Sequence, residues 1–180
     1  FHVEAFWLRH TKPCLGYVLV EDERPGVFNP QEAERLQVPK GPKWAQLQRG
    51  ESVSAENGET IHPAAVMGPK RPGRKVGYVT DTVYFDGIAP KVGGCDFLVC
   101  EGMFKHELEE SAREKKHLTA HQSASIAREA GGVGTLGLIH YSPRYTEYEL
   151  KQLLQEAREV FPNTILTRDR LSVDIPYREE

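Results

Sequence analysis

The chain has 180 residues, of which 39% are hydrophobic and 27% charged, a composition that indicates a folded globular protein and excludes a disordered one. Its net charge of -3 offers no overall attraction to a polyanion, so a nucleic-acid surface would have to be a local patch. The three cysteines, Cys14, Cys95 and Cys100, form no CxxC pair, and neither a membrane-spanning run nor a signal peptide is visible, so we expect a cytoplasmic protein.

The first twenty residues predict two strands. FHVEAFWLRH alternates apolar and polar residues, GYVLV is continuously apolar, and Lys12-Pro13 marks the turn between them. The sequence starts inside the first strand pattern without an initiator Met. We therefore expect it to be a piece of a longer chain.

Residues 21–75 predict an excursion with its own small structure. They hold seven of the twelve prolines and six glycines, and so many turn-forming residues are unusual in a packed core. Two short helices are expected here, around 31–36 and 42–48.

From Arg74 onward, strands and helices alternate, which indicates an α/β layer. The expected strands are VGYVT, DFLVC, TLGLI, TILT and LSVDI. One helix is expected over 106–116, and two more begin at the capping-box patterns Thr119-Ala-His-Gln122 and Thr146-Glu-Tyr-Glu149. The second of the three stops at Gly131 and the third at Pro162.

Three successive strands end in groups that can bind metals or move protons. Asp81, Glu101 and His140 follow these strands, and His117 stands just before a helix start. Alone, such an Asp is ordinarily a turn former and such a His a hydrogen-bonded edge residue. Four at matching positions predict a site, because ligands of α/β sheets gather beyond the carboxyl ends of strands. Carboxylate and imidazole are also ligands that zinc accepts.

The segments YVTDT, LVCEGMF, HLTAHQSASIA and LIHYSPRY follow one another in that order, with RHTKPCLGYVLVE and VPKGPKWAQLQRGESV ahead of them. Together they resemble the C-terminal half of ribonuclease Z, the tRNA 3′-processing endonuclease family of the metallo-β-lactamase superfamily. The resemblance implies that residues 1–180 form the C-terminal part of an αββα sandwich, an α/β fold, with a flexible arm inserted at 24–50.

The resemblance also implies a role for each site residue. Asp81 would bridge two zinc ions, or other divalent metals, and His140 would bind one of them. His117 would lie in a mobile loop and protonate the leaving ribose oxygen, with Glu101 orienting its ring. The residues expected near the substrate phosphate are Ser142, Arg144 and Tyr145.

The arm would grip the elbow of a tRNA precursor. Its tip would be Gly41-Pro42, flanked by Lys40, Lys43 and Arg49, and the stretch KRPGRK at 70–75 adds further positive charge. We expect Trp44 to anchor the arm by packing rather than to stack on a base.

The family's His-x-His-x-Asp-His motif, which supplies most of the metal ligands, is absent from this sequence. His10 and His62 match no ligand position of the family as we align it, so only two ligands are expected. Activity would then require the N-terminal half that carries the motif, in a protein expected to form a homodimer. The alternatives are another hydrolase of this superfamily acting on small phosphodiesters or esters, and a non-catalytic tRNA-binding or dimer-partner subunit.

Overall fold

The computed structural model describes residues 1–178 and divides the chain into two compact units. The larger unit combines Phe1–Glu21 with the chain from Arg74 onward, and the smaller unit is Asp22–Gly73. The strands are β1 (His2–Leu8), β2 (Cys14–Val20), β3 (Val53–Ser54), β4 (Thr60–Ile61), β5 (Lys75–Val79), β6 (Phe97–Glu101), β7 (Thr135–Ile139) and β8 (Thr164–Leu166). The α-helices are α1 (Pro30–Arg35), α2 (Pro42–Gln48), α3 (Ala89–Val92), α4 (Glu109–Lys115), α5 (Ala120–Ala130) and α6 (Glu147–Val160).

A six-stranded mixed sheet in the order β1-β2-β5-β6-β7-β8 is the framework of the larger unit. β2 is antiparallel to both β1 and β5, whereas β5, β6, β7 and β8 are parallel to one another. Because β1 and β5 are both antiparallel to β2, they run in the same direction. The ends of β1, β5, β6 and β7 therefore lie at one edge of the sheet.

Helices cover one face of this sheet and form the core with it. The buried side chains of Leu98, Leu136 and Leu138 on the strands belong to one apolar cluster with Ile126 of α5 and Leu153 of α6. Burying each such side chain contributes about 1.5–3 kcal/mol relative to leaving it exposed. The two predicted capping boxes are present, so both long helices begin where the sequence indicated.

The other face of the sheet is apolar and open in residues 1–178. Val3 and Trp7 on β1 are 53% and 69% exposed, and the cross-strand pair Tyr17 and Tyr78 is 42% and 43% exposed. One sheet is found in the described part of this unit, so the second β layer of the expected sandwich is not among these residues.

Two sequence predictions in this unit were wrong. The helix expected over 106–116 is split into a 3-10 turn at His106–Leu108 and α4, because Leu108 departs from helical backbone angles. LSVDI is not a strand. It pairs with no strand of the described chain, and the Ile175 carbonyl instead accepts a hydrogen bond from Nη1 of Arg74 at 3.2 Å.

The smaller unit has its own apolar core and a two-stranded sheet, β3-β4. α1 begins after Asn29, whose side chain accepts from the Glu32 N–H, and α2 begins after Gly41, whose φ of 135° suits glycine. The buried residues of this core are Ala33, Val38, Leu47, Val53, Ala55, Ile61 and Val66. In residues 1–178 no helix has the length and apolar character that crossing a membrane requires.

Candidate metal centre at the carboxyl edge of the sheet

Asp81, which follows β5, lies between two imidazoles. Its Oδ1 atom is 3.1 Å from Nδ1 of His140, and its Oδ2 atom is 3.9 Å from Nε2 of His10. Thr80 donates a hydrogen bond to Oδ1 at 3.0 Å and so helps to fix the carboxylate. Each carboxylate oxygen therefore faces a different nitrogen ligand, an arrangement suited to a carboxylate that bridges two cations.

The placement of His10 corrects the sequence analysis, which set this residue aside. Candidate ligand atoms of His10, Asp81 and His117 all lie within 4.8 Å of one another. His10 reaches the site because it follows β1, which ends at the same edge as β5. The β1–β2 hairpin was visible in the sequence. If β2 is assumed to pair antiparallel with β5, then β1 and β5 run in the same direction, and this was the signal that could have identified His10. His62 lies in the smaller unit, where its Nδ1 is 2.8 Å from Oγ of Ser52.

The tautomer of neutral His10 follows from its hydrogen bond. Its Nδ1 is 3.0 Å from the carbonyl oxygen of Lys116, and a carbonyl can only accept. Nδ1 therefore carries the proton, and the Nε2 lone pair is left toward Asp81. A backbone carbonyl behind a ligating histidine is the usual device that orients the ring for a metal.

Glu101 and His117 form a second pair beside Asp81. The Glu101 side chain is fully buried, and its two oxygens lie 3.2 and 3.0 Å from Nδ1 of His117. The Thr82 N–H donates to Oε1 of Glu101 at 2.7 Å. Because Nδ1 of His117 is engaged by the carboxyl group, Nε2 is the atom that can exchange a proton with another molecule.

Burial decides the protonation of this pair. Burial raises the pKa of Glu101 to about 8; the Thr82 N–H opposes this rise, and the charge of Asp81 adds to it. Burial also lowers the pKa of His117. Burial therefore favours the uncharged form of both groups.

His117 is held in place from both sides. Lys116 before it ends α4 in the left-handed conformation with φ 58°, and Thr119 after it caps α5. The His117 N–H donates to the Ala112 carbonyl at 2.8 Å. The His117 ring centroid is 5.0 Å from that of His10 and 5.2 Å from that of His140, so three imidazoles surround Asp81.

His140 has a backbone conformation that is rare for a residue with a side chain. Its φ is 57°, in the left-handed region, which costs about 1–3 kcal/mol. The turn directs the imidazole toward Asp81 and also places Nδ1 3.8 Å from Oε2 of Glu101. β7 is therefore followed by a histidine whose side chain faces the acidic groups.

The predicted phosphate residues lie in the turn after His140. The Ser142 N–H donates to the Met103 carbonyl at 3.3 Å, and the Tyr145 hydroxyl accepts from the Lys105 N–H at 3.0 Å. Arg144 is exposed. The turn is thereby tied to the loop that follows β6, beside the acidic centre.

Comparisons with known proteins agree with this geometry. A sequence profile described as "Beta-lactamase superfamily domain" matches residues 45–141, more than half of the chain. The chain belongs to this family. The matched part includes Asp81, Glu101, His117 and His140, whereas His10 lies outside it.

Relatives from several organisms are named ribonuclease Z. The chain is 57% identical to the one from Treponema pallidum (strain Nichols), over 99% of this chain and 57% of the relative. It is 40% identical to the one from Methanosarcina acetivorans, with the same two coverages of 99% and 57%. The predicted resemblance to ribonuclease Z is confirmed, and the chain spans a little over half the length of the curated relatives it matches.

Solved structures support the fold of this beta-lactamase superfamily member. The metallo-beta-lactamase fold protein YhfI from Bacillus subtilis matches with a TM-score of 0.55 at 16% identity, over 91% of this chain and 45% of that one. The short form of human tRNase Z matches with a TM-score of 0.53 at 19% identity, over 97% and 43%. The predicted metallo-β-lactamase type of α/β fold is confirmed, and this fold implies divalent metal binding.

The predicted arm residues lie in the smaller unit, Asp22–Gly73, which contains more residues than the predicted segment 24–50. Nζ of Lys40 is 6.0 Å from the centroid of the Trp44 ring, Lys43 donates to the Ser54 carbonyl at 2.5 Å, and Arg49 pairs with Glu51 at 3.0 Å. Gly41 and Pro42, the predicted tip, are both exposed. Trp44 packs on Phe28 at 5.1 Å, and its indole N–H donates to the Val38 carbonyl, as expected of an anchor.

The basic stretch KRPGRK is largely engaged within the protein. Its contacts are Lys70 with Glu23 at 3.3 Å, Arg71 with the Pro25 carbonyl at 3.1 Å, Arg74 with Glu21 at 2.6 Å and Lys75 with the Gly93 carbonyl at 2.7 Å. These partners reduce its value as a phosphate-binding patch.

Proposed function

We propose that this chain is one part of a metal-dependent endoribonuclease, and that the complete enzyme removes 3′ trailers from tRNA precursors. The observation that carries the proposal is Asp81, whose two oxygens face His10 and His140, beside the buried Glu101–His117 pair. A carboxylate between imidazoles suits a metal-assisted hydrolysis, and a carboxyl-oriented histidine suits proton transfer. The relatives named ribonuclease Z give the substrate class.

The residues at the edge fit divalent metals. His10, with its lone pair on Nε2, together with Asp81 and His140, would supply nitrogen and oxygen ligands of the kind zinc prefers. We propose two zinc ions, with Asp81 shared between them. When bound, such ions lower the pKa of water to about 7 and stabilise negative charge on a phosphate.

The remaining ligands would come from the His-x-His-x-Asp-His motif that the family resemblance implies, in a part of the protein outside this chain. The open apolar face with Trp7, Tyr17 and Tyr78 supports this proposal, because large exposed apolar patches mark surfaces that another element covers. A second β layer would bury that face and bring its ligands to the same edge. Catalysis would then belong to the complete protein.

The chain's own residues would act on the substrate in distinct ways. His117, with Nδ1 held by Glu101, would carry a proton on Nε2 to the departing 3′ oxygen of the ribose. Arg144 would bind the phosphate through its guanidinium group. Ser142 and Tyr145 would hold the turn that presents Arg144, since both are tied to neighbouring backbone.

The smaller unit would bind the tRNA. Its exposed tip at Gly41-Pro42 with Lys40, Lys43 and Arg49 would contact the elbow of the precursor through phosphates. We also propose a homodimer, as the family resemblance implies. Three free thiols and a tRNA substrate suit the cytoplasm as the location.

The test uses the complete protein and a labelled tRNA precursor with a 3′ trailer, alongside a nitrophenyl phosphodiester. Asp81→Asn should abolish cleavage of both substrates, whereas Asp86→Asn, a matched change at an exposed site, should not. Cleavage of the small ester alone by the wild type would favour the small-substrate hydrolase. Binding of tRNA without any cleavage would favour the non-catalytic subunit, and either outcome would reject the endoribonuclease.

A further inference from the structure

Arg9 lies at the edge of the candidate centre, one residue before His10, and its side chain is exposed. We propose that Arg9 is a substrate-binding residue that contacts an RNA phosphate beside the metal centre. This inference rests on the proposed function and deepens it. Arg9 would be the cation on the β1 side of the site, and an RNA phosphate would be the group that it binds.

The backbone of Arg9 is fixed to the loop that carries Asp81. Its N–H donates to Oγ1 of Thr82 at 3.0 Å, and its carbonyl accepts from the Val83 N–H at 2.9 Å. Thr82 in turn donates its own N–H to Glu101 at 2.7 Å. Arg9 is therefore held at a constant position relative to the acidic groups, as a substrate-positioning residue must be.

The guanidinium group of Arg9 is ordered but has spare donors. Its central carbon lies 4.3 Å from the centroid of the Phe85 ring, and this ring is the partner that the structure gives it within residues 1–178. A stacked guanidinium keeps its N–H groups directed outward in its own plane, where they can form bidentate hydrogen bonds to a phosphate. By contrast, Arg74 and Arg178 use their donors on Glu21 and Asp96.

An RNA strand that crosses this edge carries phosphates on both sides of its scissile bond, and a guanidinium group can pair with one of them. Arg9 follows β1 and Arg144 lies in the turn after β7, so the two arginines flank the acidic groups in the order of the sheet. A strand crossing this edge would meet a cation on each side of the reacting phosphate.

The test compares Arg9→Gln and Arg9→Lys with Arg113→Gln in the complete protein. Arg113 is a matched control because it is an exposed arginine on α4, 3.7 Å from Glu110 and outside the site. Binding of the tRNA precursor is measured at several salt concentrations, and cleavage is measured on the precursor and on a nitrophenyl phosphodiester. Circular dichroism and metal content show whether each variant is intact.

Arg9→Gln should weaken precursor binding by about 10-fold or more, because a hydrogen-bonded charge is lost. The slope of log affinity against log salt should fall by about one, as expected for one phosphate contact. Arg9→Lys should restore the salt slope but only part of the affinity, since lysine lacks the planar fork. Phe85→Leu should weaken binding less than Arg9→Gln, because it removes the support and keeps the charge.

Unchanged affinity and salt slope in Arg9→Gln would overturn the inference. So would an equal loss on the precursor and the small ester together with lost metal, since Arg9 would then support the metal centre instead. The affinity for the tRNA precursor reports the contribution of Arg9 to RNA binding even in a protein that does not cleave RNA. Failure of the wild type to cleave the precursor would reject the proposed function without deciding the role of Arg9.

Discussion

The Nδ1 atom of His10 lies 3.0 Å from the carbonyl oxygen of Lys116, the residue immediately before His117. This hydrogen bond ties the end of β1 to the segment that presents the candidate acid. Lys116 can offer its carbonyl here because its backbone is left-handed, with φ 58°. The candidate metal ligand and the candidate proton donor are thus positioned by the same turn.

We predict that His10→Ala in the complete protein lowers metal affinity strongly. Losing a group that only orients a ligand already costs about 10- to 100-fold in metal affinity, so losing the ligand itself should cost at least that. Competition with a chromophoric chelator measures the change. His62→Ala, in the smaller unit, is the control and should bind metal like the wild type. Equal metal affinity in His10→Ala would remove His10 from the centre.

His117→Ala should separate proton transfer from metal binding. A general acid contributes about 10²–10⁴-fold in rate, so kcat on the tRNA precursor should fall by that range while metal content is retained. A nitrophenyl phosphodiester has a leaving group that needs no proton and should lose far less. His121→Ala, on α5 outside the centre, provides the control.

The same experiment decides between two roles for His117, since its ligand atoms also lie within 4.8 Å of those of Asp81 and His10. If metal content falls together with both activities, His117 is a ligand and the acid assignment is wrong. If the variant cleaves the precursor at the wild-type rate, His117 has neither role.

Much of the larger unit could be predicted from the residues that begin and end its helices and strands. Thr119 and Thr146 each begin a helix through a hydrogen bond within four residues, which is local chemistry that a sequence displays. Parallel strands then required Asp81, Glu101 and His140 to meet at one edge. These inferences needed only local signals and the direction of the strands.

The remaining features depend on contacts between distant segments. His10 joins Asp81 through the β1–β2 hairpin, and the pairing of Lys70 with Glu23 cancels a charge that the sequence displays as free. The stretch LSVDI has the alternation of a strand, but it pairs with none of the strands in residues 1–178. Spacing along the chain does not reveal which partners are available in space.

We predict that Glu101 makes stability depend on pH in the metal-free protein. Burial raises its folded pKa to about 8 from an ordinary value of 4.5, so folding takes up a proton between these values. The stabilisation is complete below pH 4.5 and is lost as the pH rises through about 8. The slope is at most about 1.4 kcal/mol per pH unit for one proton.

Urea unfolding at several pH values above 6.5 measures this dependence. In that range the lowered pKa of His117 contributes little, because its stabilisation is present above its ordinary value of 6.5 and is lost only as the pH falls. Glu101→Gln should flatten the profile, whereas Glu107→Gln, at an exposed position, should leave it unchanged. Parallel profiles for Glu101→Gln and the wild type would show that the carboxyl is ionised in the folded protein.

The arm prediction concerns charge, because deleting 24–50 would remove Ala33, Val38 and Leu47 from the core of the smaller unit. We predict that Lys40→Gln combined with Arg49→Gln weakens binding of the tRNA precursor and lowers the salt slope by about one to two, one for each phosphate contact. Cleavage of a nitrophenyl phosphodiester should suffer much less, since this small substrate has no tRNA elbow for the tip to bind. Arg35→Gln is the control, because Arg35 is an exposed arginine of the same unit that pairs with a glutamate, as Arg49 does, but lies on α1 outside the predicted tip. If the double variant and the control bind the precursor alike at every salt concentration, the tip does not contact phosphate, and the smaller unit has a structural role.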